Sequence, residues 1–125
     1  MKLIISPRSA EIFQVVLDRR IDLSRPGIVR PELLVARTRF ERLVEDYSYR
    51  WWDPHSKPDN FFQAFELSRA SVLQLYTWFL FTNPKLEIRT AHVDAAFAQI
   101  RESMERANLT TAKCDREHLV DLSNY

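Results

Sequence analysis

PELLVARTRFERLVEDYSYRW, residues 31–51, decides the fold class of this chain. At about 100° per residue in a helix, Leu33, Ala36, Phe40, Leu43, Val44, Tyr47 and Trp51 fall on one narrow stripe. Arg39, Arg42, Glu45 and Asp46 lie away from it. This is the period of an amphipathic helix with one buried face. The rest of the chain offers little for a competing β fold. With one glycine in 125 residues, tight hairpin turns have almost no raw material.

On the N-terminal side, SPRSAEIFQVVLDRR (6–20) supplies Ser6 as an N-cap and Pro7 at the first helical position, the favoured arrangement for both. Ile12, Phe13, Val16 and Leu17 then share one face. IDLSRPGIVRP breaks that helix and holds Gly27, which takes positive φ without steric cost. On the C-terminal side, Pro54 and Pro58 in WDPHSKPD end the 31–51 helix. Ser56 and Asp59 read as a capping-box variant opening a third helix. That helix is expected from about 58 to 82, with Phe61, Phe65, Val72, Leu75, Tyr76 and Phe79 as its main face, closed by Asn83–Pro84. A fourth is expected from Thr90 to about Ala107, striped by Val93, Ala96, Phe97, Ile100, Met104 and Ala107, with Asn108 as its stop. A short last helix is expected over Asp115–Leu122.

KLIIS near the start and KLEIRT at 85–90 are the strand-like pieces. The expected architecture is therefore mainly α. It is a single-domain bundle of about four helices plus a short C-terminal helix, with at most a minor two-stranded ribbon of 3–5 against 86–90. A chain of this length removes roughly two thirds of its unfolded surface from water, so a core forms without staples. Hydrophobic content of 46% with 28% charged residues is ordinary for a soluble globular protein. One cysteine rules out an internal disulfide framework. Pro7, Arg8 and Glu11 cut the opening apolar run far short of a signal-peptide core. The apolar run from Val72 to Phe81 is too short to span a bilayer. A cytoplasmic location is expected.

No constellation of residues carries recognisable chemistry. His55, His92 and His118 belong to no HExxH or CxxC-type spacing. Cys114 and His118 are four apart, on one helical face, as a nucleophilic pair or half a metal site is. They have no orienting carboxylate or further ligand at recognisable spacing. A phosphate-cradling loop needs glycines that the chain lacks. No catalytic, cofactor or metal residue is assigned, and enzymatic function is not expected.

The informative residues are those that violate the helical pattern. Arg69 projects onto the apolar side of the third helix. There it must snorkel out at the edge, hold an internal ion pair, or serve a ligand. Leu67, Trp78 and Phe81 cluster on that helix's other side, so it is either central or covered by a partner. Tyr49 and Trp52 point away from the 31–51 stripe, beside Arg50 and His55. They either fold under the proline corner or act as interface anchors.

The leading expectation is a non-catalytic protein-binding module: an adaptor, inhibitor or neutralising partner. It acts through Tyr49, Arg50, Trp52, His55, Trp78 and Phe81, with a homodimer through the 58–82 helix as one form. The alternative is a nucleic-acid binder using Arg19, Arg20, Arg25, Arg30, Arg37, Arg39 and Arg42, with an aromatic stacking on a base. Against it stand a net charge of +1 and Asp22, Glu32, Glu41, Glu45 and Asp46 interspersed among those arginines.

Overall fold

The computed structural model describes residues 1–23, 27–50, 62–82 and 90–109. In chain order the elements are β1 (Lys2–Ile5), α1 (Pro7–Leu23), α2 (Pro31–Arg50), β2 (Gln63–Glu66), α3 (Arg69–Phe81) and α4 (Thr90–Arg106). The protein is mainly α, as the periodicity predicts, with one small antiparallel sheet.

Three of the helices follow their sequence signals closely. Ser6 caps α1: its Oγ accepts from Ser9 N at 3.3 Å, and its carbonyl accepts from Ala10 N at 2.9 Å. Gly27 takes φ +88° between α1 and α2. On α2, Leu33, Ala36, Phe40 and Leu43 are buried, the expected stripe. On α4, Val93, Ala96, Ile100 and Met104 are buried. Asn108 ends α4 at φ 57°. Asn108 N donates to Glu105 O at 3.0 Å and Leu109 N to Met104 O at 2.8 Å, the paired bonds of a Schellman cap.

The third helix differs from expectation. Residues 63–66 form β2, and α3 begins only at Arg69. Its N-cap is Ser68, whose Oγ accepts from Ser71 N at 3.2 Å; Ser56, the expected cap, lies outside the described residues. Phe65 has helical spacing to Val72, but β1 offers main-chain pairing that a helix cannot use. The register is Lys2↔Glu66, Leu3↔Phe65, Ile4↔Ala64 and Ile5↔Gln63. Leu3, Ile5 and Phe65 face the core and are fully buried. The first strand of the ribbon is thus the expected one, and its partner among the described residues is 63–66. Thr90 opens α4, and 86–89 lie outside the described residues, as does the expected 115–122 helix.

One hydrophobic core joins all six elements. A chain of rings runs through it, with each pair at or near the separations favoured for aromatic contacts. Phe65 meets Phe40 edge-on at 4.9 Å, Phe40 meets Phe13 at 6.3 Å, and Phe13 meets Phe79 at 5.6 Å. Phe79 stacks on Phe97 at 6.0 Å. α3 is buried continuously from Gln74 to Phe79. The buried Gln74 and Thr77 side chains are hydrogen-bonded, as burial requires. Gln74 Nε2 donates to Ile28 O at 2.9 Å, Gln74 Oε1 accepts from Arg30 N at 3.1 Å, and Thr77 Oγ1 donates to Leu73 O at 2.8 Å.

The two edges of the ribbon are treated differently. The outer edge of β1 is covered by α4: Ile4 N donates to Ser103 Oγ at 3.1 Å, and Ser6 N to Gln99 Oε1 at 2.9 Å. Among the described residues, no strand lies on the outer edge of β2.

Candidate partner-binding surface

The outer face of α2 breaks the amphipathic rule. Leu34 is 45% exposed and Val35 60% exposed, on the side opposite the Leu33–Phe40 stripe. With Thr38, Arg39 and Arg42 they line a shallow open groove of about 460 Å³. Exposed apolar side chains grouped this way mark contact surfaces more often than single scattered ones do.

The charges around the groove fall into two sets. Arg37, on the flank toward α1, is committed: it holds the Asp18 carboxylate and reaches Glu41 Oε2 at 3.2 Å. The hydrogen bond to Asp18 raises the Arg37 pKa above its ordinary value. Arg39 and Arg42 have no carboxylate partner among the described residues. Arg39 lies with its guanidinium 5.2 Å from the centroid of the Phe65 ring, within cation–π range. Arg39 thereby links the groove to β2.

A third contact fixes how β2 lies against α2. Glu32, in the first turn of α2, accepts from Ser68 N at 2.6 Å. That hydrogen bond holds the Glu32 carboxyl below its ordinary pKa. Ser68 therefore sits by residue 32 of α2, and Phe65 by residues 39 and 40. The strand runs antiparallel along the flank of α2 that carries Val35, Arg39 and Arg42.

Register then fixes which main-chain groups face outward. Met1 and Leu67 exchange both bonds, at 2.6 and 2.9 Å. In an antiparallel pair such positions alternate, so Leu3↔Phe65 is also a hydrogen-bonded pair, and Ile4↔Ala64 and Lys2↔Glu66 are not. The outward bond from Ile4 N to Ser103 fits this alternation. The N–H and C=O groups of Ala64 and Glu66 therefore project from the outer edge of β2. Phe62, 50% exposed, stands just before it.

The residues singled out from sequence are only partly brought together here. Trp78 is 2% exposed, packed in the core rather than standing as a surface anchor. Phe81, with Leu80, does reach the surface, 45% exposed, and lies under Arg20 at 5.9 Å. The side chains of Tyr49 and Arg50, and all of Trp52, His55, Arg25, Cys114 and His118, lie outside the described residues. His92 is half-buried on α4. Among the described residues, no three His, Cys, Asp or Glu side chains converge as a metal site requires.

The arginines of the nucleic-acid reading do not form one free stripe. Arg20 Nε donates to Thr82 Oγ1 at 3.1 Å, and burial lowers its pKa. Arg30 Nε donates to Ser71 Oγ at 3.2 Å. Arg19 is also engaged. Arg69, expected on the apolar side of the third helix, leaves at the edge. It is exposed and donates to Ala107 O at 2.6 Å and Asn108 O at 3.4 Å, closing the C-terminal end of α4.

Leu34 and Val35 are the residues that sequence reasoning missed. The signal was present: two adjacent apolar side chains off the stripe of an otherwise clean amphipathic helix. No family model matches the chain, and neither does any curated protein or solved structure. No helix among the described residues is long and apolar enough to cross a membrane.

Proposed function

We propose that this chain is a non-catalytic protein-binding module of the cytoplasm whose docking surface is the outer face of α2. The observation that supports this most is the pairing of exposed Leu34 and Val35 with Arg39 and Arg42, which have no carboxylate partner among the described residues. Grouped exposed apolar side chains mark contact surfaces, and arginine is among the residues enriched at interface hot spots. The anchor set shifts from the one expected: Trp78 is spent on the core, and the α2 face takes its place. The nucleic-acid reading is weaker, since Arg20, Arg30 and Arg37 are held by internal hydrogen bonds.

The test is cross-linking in the native cell, followed by reconstitution from purified components. The module reading expects a stoichiometric complex with one protein, weakened by Val35→Asp while the circular dichroism and melting of the variant match the parent. A chain that forms no complex with any purified cross-linked protein overturns the reading.

A further inference from the structure

We infer that the open edge of β2 and the α2 groove beside it form one composite site for an extended acidic peptide of a partner protein, which docks by adding a third strand to the sheet. This rests on the protein-binding reading and specifies its site and ligand chemistry.

Ala64 and Glu66 present outward N–H and C=O groups, and both residues are exposed. Neither has a hydrogen-bond partner for those groups among the described residues. An exposed row of this kind is a template for strand addition. The other edge of the ribbon is covered. There, side chains of α4 meet the outward N–H groups of Ile4 and Ser6; among the described residues β2 has no such cover.

The side chains then select the occupant. A strand laid on β2 runs along the α2 flank, because β2 itself does so from Ser68 beside Glu32 to Phe65 beside Arg39. Alternate side chains of an added strand point to opposite faces. Those on the inner face meet Val35, Arg39 and Arg42, so apolar and carboxylate groups complement them. Those on the outer face lie beside Phe62, Ala64 and Glu66. Only four residues of β2 form the edge, so the main chain supplies a short stretch of pairing and the arginines supply the choice of sequence. A basic peptide brings like charge to Arg39 and Arg42.

The experiment selects a random dodecapeptide library against the immobilised full chain, then titrates the consensus peptide by NMR. The expected consensus is acidic with apolar residues at alternate positions. The peptide moves the amide signals of Ala64 and Glu66 and slows their exchange. Arg39→Glu combined with Arg42→Glu weakens it roughly tenfold or more, as loss of charge complementarity with like-charge juxtaposition does. Leu80→Ala, at the end of α3, leaves it unchanged. N-methylation of the peptide at alternate residues abolishes binding. No enrichment, a basic or proline-rich consensus, or unchanged Ala64 and Glu66 amides overturns the proposal. So does a concentration-dependent dimer that protects those amides without peptide, or salt-dependent nucleic-acid binding lost in the double arginine variant. A reconstituted partner complex that leaves Ala64 and Glu66 untouched sinks this docking mode and spares the module reading; absence of any complex sinks both.

Discussion

Replacing Trp78 by alanine separates a core role from an interface role. Trp78 is 2% exposed in the isolated chain, in the continuously buried run of α3. Truncating a buried tryptophan costs about 3–5 kcal/mol, a transfer loss plus the cavity left behind. For a domain whose whole stability is roughly 5–15 kcal/mol, that is a large share. With a urea m-value of about 2 kcal/mol/M, within the range for small proteins, the midpoint falls by ~2 M at unchanged m. Phe81→Ala is the control. Its ring is half exposed and its contact with Arg20 is at the surface, where such contacts are worth about 0.5–1 kcal/mol. Urea titration of both variants, with sedimentation velocity alongside, reads the result. A Trp78→Ala midpoint close to the parent, accompanied by dissociation of a dimer, refutes the placement of this ring in the core.

Three further outcomes follow from the polar contacts. The depressed pKa of Glu32 contributes stability that is fully present above its ordinary value of 4.5 and is lost as pH falls through the folded value. Acid titration of Glu32→Gln should therefore converge with the parent once pH has fallen through the folded value, below 4.5, and a constant offset at all pH values denies that role. Ser103→Ala removes the acceptor of Ile4 N and, with Ser103 itself 1% exposed, should cost about 1–3 kcal/mol; it should also speed exchange of the Ile4 amide, and an unchanged amide would show the edge covered by other means. At Asn108, φ 57° tolerates glycine but strains a β-branched side chain by about 1–2 kcal/mol, so Asn108→Val should lower the melting temperature and Asn108→Gly should not.

The sequence made the regular helices legible because each carries its own evidence. Ser6 and Pro7 start α1, the Leu33–Leu43 stripe defines α2, and Asn108 ends α4, all through interactions within a few residues. The start of α3 was illegible for the opposite reason. Phe65 satisfies a helical stripe as well as a strand, and only Leu3, more than 60 residues away, decides between them. The cap at Ser68 was readable in principle, but Ser56 and its flanking prolines gave the stronger local signal. Trp78 was ambiguous because a helix that is apolar all round does not say whether its cover is the same chain or another. The candidate surface was legible as arginines, not as a site. That Arg37 is paired with a carboxylate while, among the described residues, Arg39 and Arg42 are not depends on where Asp18 and Phe65 come to lie.

Amide hydrogen exchange across 62–67 in the free chain tests the open edge most directly. Phe65 and Leu67 donate inward to β1 and should be protected. Ala64 and Glu66, pointing outward, should exchange near the rate of an unstructured chain, giving alternation along β2. When the acidic peptide or the reconstituted partner is added, the two fast amides should slow and the alternation should vanish. Protection of Ala64 and Glu66 already in the free monomer contradicts an available edge, and with it the strand-addition site.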